Sequence, residues 1–233
     1  MIHGFTSAPE QFKELADFFA ARGFTVSAPL IAGHGISPDN LMKTTPEDWM
    51  KSVKDAYLEL KKKSEKIFII GNSFGSNLAF WLAKEFDNEQ SGIITLGAPI
   101  FLKYHYFILF RLYTYGLIQR YYRKPRRLYK ADYTDMSDEV TYSIIPTKNL
   151  REFFNFIKNE TIPNLGKVKI PTLVAQSDTD PVIKPKSATY IFEKLGSSFK
   201  RIYWFPSEFH VLTADGRRAE LFQKIYNFIQ SIS

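Results

Sequence analysis

The segment Gly71-Asn72-Ser73-Phe74-Gly75 constrains this chain more than any other. It follows a continuous apolar run, Ile67-Phe68-Ile69-Ile70, and precedes helical spacing from Asn77 to Phe86. A short run of that kind suits a strand buried on both faces, as in a parallel sheet. A serine on the sharp turn from such a strand into a helix is strained, with its hydroxyl raised from the sheet. The two glycines leave room where side chains would strike neighbouring elements. The helix behind the turn aims its partial positive charge at the hydroxyl. Five residues alone are a weak pattern; in this strand–turn–helix setting they predict a reactive serine at Ser73.

The rest of the chain repeats the alternation. Helical spacing appears over Pro9 to Arg22, closed by Gly23, and over Pro46 to Lys63, with Pro46 in the first turn. Phe24 to Ala28 is a short β-rich run stopped by Pro29. Gly92 to Leu96, Thr172 to Ala175 and Arg201 to Phe205 read as further strands, and Ala219 to Ile232 as the last helix. Strands alternating with helices predict an α/β fold, a mostly parallel sheet flanked by helices. A length of 233 residues suits one such domain. Between Ile100 and Pro171 no strand signal appears, and a structureless connection of that size is improbable in a compact domain. We expect an inserted helical cap over residues 100–160, with the core in residues 1–99 and 161–233.

A serine nucleophile needs a base, and the base needs an orienting carboxylate. Of the four histidines, His210 follows the last strand, and the order serine, acid, histidine is the one such folds use. His3 and His34 sit in glycine-adjacent turns and are expected to bond loop backbone. His105 falls in a basic segment, exposed or wedged among aromatics. The acid should follow the strand Thr172 to Ala175, where Asp178 and Asp180 both qualify. Two backbone N–H groups should face the developing negative charge: that of Phe74, next to the serine, and that of Phe5 in His3-Gly4-Phe5-Thr6.

Charge is concentrated. From Ile100 to Ala131 there are eight basic residues and no acid, against a net +7 for the whole chain, so the remainder is nearly neutral. The same stretch holds ten Phe and Tyr residues. This pattern suits an anionic membrane surface, which predicts peripheral contact through residues 100–131. No recognition motif accompanies the basic patch, so no nucleic-acid partner is expected. The chain has no cysteine, which removes a disulfide framework, a zinc knuckle and a thiol nucleophile. The longest apolar region, Pro99 to Gln119, is broken by Lys103, His105 and Arg111, and the N-terminus lacks a basic segment followed by an apolar one. A cytoplasmic protein is the expectation, at most peripheral at the membrane.

The chain resembles the small bacterial carboxylesterases and monoacylglycerol lipases of the α/β-hydrolase superfamily. The matching stretches are His3-Gly4-Phe5-Thr6, Gly33-His34-Gly35, Thr45-Pro46-Glu47-Asp48-Trp49, the turn at Ser73, Gly97-Ala98-Pro99, Asp180-Pro181-Val182 and His210-Val211-Leu212-Thr213. They run in family order over nearly the whole chain outside the cap. The resemblance places the acid on Asp180 rather than Asp178. It implies small-molecule carboxylic esters of fatty or short acyl chains as substrates, cleaved through an acyl-enzyme on Ser73, and no cofactor. The same triad also serves thioesterases and acyltransferases, and the pocket alone can serve a non-catalytic binding module. Two features depart from the family. Ser76-Asn77 stands where a second glycine and a small residue are common. Only Met1 and Ile2 precede the loop at His3, where the fold calls for upstream strands. N-terminal strands are therefore expected to be missing, a truncation of about ten to thirty residues at roughly five to six residues per strand plus turns.

Overall fold

The computed structural model describes residues 1–114, 116, 118–124 and 141–232. Of the basic stretch, Tyr115, Arg126, Arg127, Tyr129 and Lys130 lie outside the described residues.

Among the described residues the central sheet has four strands: β1 (Phe68–Asn72), β2 (Gly92–Leu96), β5 (Thr172–Ser177) and β6 (Lys200–Phe205). They lie in the order β1-β2-β5-β6, and every pairing is parallel. The parallel arrangement explains the apolar runs, because helices cover both faces. The period of two then sorts the side chains. Ile69, Ile93 and Val174 enter one buried cluster, while Ile70, Ile94, Leu96, Leu173 and Ala175 enter the other. On the second face lie α1 (Lys13–Ala20), entered through a 3-10 turn at Pro9–Phe12, and α8 (Arg218–Gln230). They supply Leu15, Phe19, Leu221, Phe222 and Ile225.

On the first face lie α3 (Pro46–Lys61) and α4 (Phe74–Glu85), with α2 (Pro38–Met42) nearby. A capping box between Thr45 and Asp48 starts α3, with Pro46 in its first turn. It sets Trp49, fully buried, beneath the serine turn, with Nε1 donating to Thr44 Oγ1 at 2.9 Å. The helix after the serine begins at Phe74, earlier than the apolar spacing suggests. Buried polar residues fill its first turn: Ser76 Oγ donates to Gly71 O at 2.7 Å, and Asn77 Nδ2 bonds Pro99 O and Thr161 Oγ1. The unusual Ser76-Asn77 pair therefore ties the helix to the strand end and to the segment under the cap.

Phe24–Ala28 forms no strand. Its β-rich composition is spent on packing, with Phe24 and Val26 against the α1–α8 cluster, and it has no ladder partner. On the outer side of β1 the sheet gains a single parallel bridge, Ile2 to Gly71. In it Ile2 N–H donates to Ile70 O at 2.8 Å and Asn72 N–H to Ile2 O at 3.0 Å.

Between β2 and β5 the chain leaves the sheet. It forms α5 (His105–Tyr113), a two-stranded antiparallel ribbon of β3 (Tyr121–Arg123) and β4 (Ile144–Pro146), and α6 (Thr147–Phe156). A π-helical turn, Ile157–Thr161, and a 3-10 turn, Ile162–Lys167, return it to β5. Leu112, Tyr122, Ile145, Leu150 and Phe153 from this excursion join the core cluster of the first face. A further helix, α7 (Lys186–Lys194), follows β5.

Candidate active site

Ser73 sits between β1 and α4 with φ 49° and ψ −121°, a left-handed conformation that costs a non-glycine residue of order 1–3 kcal/mol. Crowding holds it there. A Cβ on Gly75 would come within 1.9 Å of Ile2 O, and one on Gly71 within 2.5 Å of the Gly75 backbone. The turn thus lies flush on the chain before the His3 loop, and the serine N–H is fixed by Leu96 O at 2.7 Å.

His210 Nε2 is 2.9 Å from Ser73 Oγ, and His210 Nδ1 is 2.8 Å from Asp180 Oδ2. The carboxylate accepts from Nδ1–H, which leaves the Nε2 lone pair facing the serine hydroxyl. Asp180 is fully buried behind β5 and also accepts from Val182 N–H at 2.7 Å, Ile183 N–H at 2.8 Å and Gln176 Nε2 at 3.0 Å. Burial pushes its carboxyl up. The charge and hydrogen bond of His210 and the two backbone N–H groups outweigh burial, and the net pKa lies below the ordinary carboxylate value. Asp178 is exposed, and among the described residues no hydrogen bond joins it to His210. Of the two acids left open by position, the structure brings Asp180 to the histidine.

Phe5 and Phe74 face each other across the serine. Neither backbone N–H donates a hydrogen bond among the described residues. Their rings meet edge to face at 5.6 Å, and each also meets Trp49 and Phe153. The side chains lock together the two loops that carry these N–H groups, a contact that sequence reasoning missed.

His3 and His34 bond loop backbone, as their glycine-adjacent turns suggest. His3 Nε2 accepts from Ile31 N–H at 3.0 Å, so Nδ1–H donates to Gly4 O at 2.9 Å. Burial first, and each other's or a neighbouring charge after it, lower the His3 pKa to about 3; burial lowers that of His34 to about 4. Both rings are neutral structural posts at ordinary pH. His105 is half-buried, wedged edge-on between Tyr106 and Phe154.

Two supporting groups carried no signal in the sequence. Buried Gln11 accepts the Gly4 N–H at 2.7 Å, and its Nε2 lies without a partner in the pocket wall. Lys124, beyond β3, reaches down to Thr6 Oγ1 at 2.7 Å and Thr141 Oγ1 at 3.1 Å. Tyr142 N–H adds a bond to Thr6 O at 3.3 Å. Thr6 has φ 63°, so the excursion between β2 and β5 clamps a strained residue next to Phe5.

Ser73 opens into a pocket of about 890 Å³ counted with its open mouth. Apolar surface predominates in its wall, from Leu102, Ile108, Ile145, Leu150, Phe153 and Val182. Among the described residues no cluster of His, Cys, Asp and Glu is arranged to hold a metal ion.

Over 229 residues the chain is 29% identical to the thermostable monoacylglycerol lipase of Bacillus sp. (strain H-257), covering 98% of this chain and 88% of that protein. It is also 29% identical over 234 residues to a carboxylesterase of Bacillus subtilis (strain 168), covering 100% of this chain and 92% of the other. A solved structure from the pair LipS and LipT, metagenome-derived lipolytic enzymes, superposes with a TM-score of 0.88 at 26% identity, covering 99% of this chain and 91% of that one. The fold is therefore the α/β-hydrolase fold. A family model, Hydrolase_4, described as serine aminopeptidase, S33, matches residues 1–217. Because that match covers most of the chain, the chain belongs to the Hydrolase_4 family of serine hydrolases.

Proposed function

We propose that this chain hydrolyses carboxylic esters, short- to medium-chain acyl esters or monoacylglycerols, through an acyl-enzyme on Ser73. The observation that carries this reading is the continuous relay Ser73 Oγ–His210 Nε2 and His210 Nδ1–Asp180 Oδ2, at 2.9 and 2.8 Å, on the floor of an apolar pocket. Ser73 Oγ forms a bond to the ester carbonyl carbon while its proton passes to His210 Nε2. Asp180 holds the resulting imidazolium. The Phe5 and Phe74 N–H groups hold the oxyanion, each such donor contributing about 3 kcal/mol to the transition state. The carbon–oxygen bond to the alcohol then breaks, and His210 protonates the departing alkoxide. Water attacks the acyl-enzyme with its proton passing to His210, and cleavage of the bond to Ser73 Oγ returns that proton to the serine. Every proton and electron pair is accounted for within these residues, the ester and water.

In this reading residues 100–160 act as the cap and supply the acyl pocket, over a core of 1–99 and 161–233. The test is hydrolysis of p-nitrophenyl esters from acetate to palmitate, with wild type beside Ser73→Ala. Activity confined to the wild type, with an optimum at short or medium chains, is expected. Equal activity in the variant contradicts the reading.

The finer membrane reading rests on the exposed face of α5 and its neighbours. Tyr106 is 83%, Phe107 59%, Phe110 60% and Ile118 90% exposed, and the Arg111 guanidinium lies 5.9 Å from the Phe107 ring. Such a face suits peripheral contact with anionic lipid. No helix among the described residues is long and apolar enough to cross a membrane. Sedimentation with vesicles should rise with the fraction of anionic lipid; binding independent of that fraction contradicts the assignment.

A further inference from the structure

A second cavity, about 940 Å³ with its open mouth, lies under α5 and outside the catalytic pocket. The two are back to back, since Leu102 and Phe154 line both. Its walls are apolar and aromatic, from Ile100, Phe101, Leu109, Tyr113, Ile157 and Ile162. Asn155 and three lysines, Lys158, Lys184 and Lys186, also line it, and among the described residues no Asp or Glu does. Among the described residues none of the three lysines forms an ion pair. The ammonium of Lys186 sits 4.3 Å above the Phe101 ring, so a cation is held directly against the apolar wall.

One polar group in the wall behind the cavity is unsatisfied among the described residues. Among the described residues His105 Nδ1 is buried with no hydrogen-bond partner, although its ring is braced edge-on by Phe154 at 5.3 Å. Burial, and then the charge of Lys184, disfavour protonation of this ring. In a neutral imidazole one nitrogen donates and the other accepts, and the ring carries no charge. The cavity therefore offers an apolar, aromatic wall and three cations without an ion-pair partner among the described residues. A neutral lipid leaves the lysines unused, and a short anion leaves the aromatic wall unused. A single-chain amphiphile with an anionic head uses both.

We propose that this cavity is a second ligand site, distinct from the catalytic pocket, that takes a fatty acid in its carboxylate form, head at Lys158, Lys184 and Lys186 and chain beneath α5. The ligand class comes from the cavity's own chemistry. That the same ligand is the acyl product of Ser73 rests on the ester-hydrolase reading. Product released across the Leu102–Phe154 wall then has a place to lodge before it leaves the enzyme.

The test uses the full chain with Ser73 capped by an alkyl fluorophosphonate, which fills the catalytic pocket. Decanoate, kept monomeric below its micellar concentration, is titrated by calorimetry beside decanol. One saturable decanoate per capped protein is expected, with decanol at least about tenfold weaker. The triple variant Lys158→Gln, Lys184→Gln, Lys186→Gln should weaken decanoate by tenfold or more, and Leu109→Trp should abolish its binding. Both variants should hydrolyse p-nitrophenyl acetate within about twofold of the wild type. No saturable binding to the capped protein overturns the proposal, as does equal affinity for decanoate and decanol. If a variant fails to fold, the decanoate–decanol comparison on the capped wild type still decides. If the phosphonate does not label Ser73, the ester reading falls, and the same titration of the uncapped chain against Leu109→Trp decides the cavity by itself. Vesicle binding that depends on anionic lipid but not on these variants separates the cavity from the exposed face of α5.

Discussion

At the scale of single residues, the site depends on how fully each polar atom is used. Asp180 accepts from His210, Gln176, Val182 and Ile183, which leaves it charged although buried. Asp180→Asn keeps the shape but replaces an acceptor with an amide that stabilises the wrong imidazole tautomer. We predict a fall in kcat of about 10³–10⁴-fold with little change in Tm, read by steady-state kinetics and thermal melting. Gln11 tests a different role. Its Oε1 accepts the Gly4 N–H one residue before the Phe5 donor. Gln11→Ala leaves that N–H buried and unpaired, at a cost of about 1–3 kcal/mol. Both kcat and Tm should drop while KM stays within about threefold; unchanged kcat contradicts the positioning role. The serine and the histidine that the structure brings together were legible in the sequence, Ser73 from the glycine-bounded turn at a strand end and His210 from its place after the last strand. Gln11 and Lys124 were not, because a glutamine in a short helical turn and a lysine in a basic run look like solvated surface until the fold places them.

At the scale of elements, the serine turn is set by backbone contact. Gly75→Ala places a Cβ where Ile2 O already stands, 1.9 Å away, and both sides are main chain. Neither can rotate away. We predict destabilisation of more than about 3 kcal/mol, or failure to fold, in chemical denaturation. A mild effect would mean that the bridge at Ile2 yields easily. Three strands were readable because burial on both faces writes continuous apolar runs, the edge strand β6 from its β-rich Ile-Tyr-Trp-Phe, and all four ends agree with the structure within a residue or two. Phe24–Ala28 misleads for a related reason. β-Propensity reports fit to a half-buried pleated surface, and this run finds that surface on α1 and α8 without a ladder partner. The excursion after β2 was visible only as an interruption. In α5 aromatic and basic side chains occupy several faces within nine residues, so no single apolar stripe marks it.

At the scale of the whole molecule, two buried histidines link the core to acidity. His3 and His34 have folded pKa values near 3 and 4, below the ordinary 6.5. The unfolded chain therefore binds these protons first as the pH falls. The stability these rings contribute is complete above pH 6.5 and is lost as the pH falls toward 4 and then 3. Urea unfolding between pH 7 and 4.5 should show falling stability, with a limiting slope of about 1.4 kcal/mol per pH unit for each site. His34→Asn should flatten that slope, whatever its stability at pH 7. An unchanged slope would place the acid sensitivity elsewhere. The same posts hold Gly4 and Ile31, so acid that loosens the fold should loosen the loop bearing Phe5 in the same pH range.

The claim on which the rest turns is that Ser73 is the nucleophile, activated by His210. Labelling with an alkyl fluorophosphonate, followed by peptide mass mapping, tests it most directly. We predict one phosphonyl group per chain, on Ser73, formed at least about a hundredfold more slowly in His210→Ala. A folded protein that stays unlabelled, or carries the label on another residue, would contradict it.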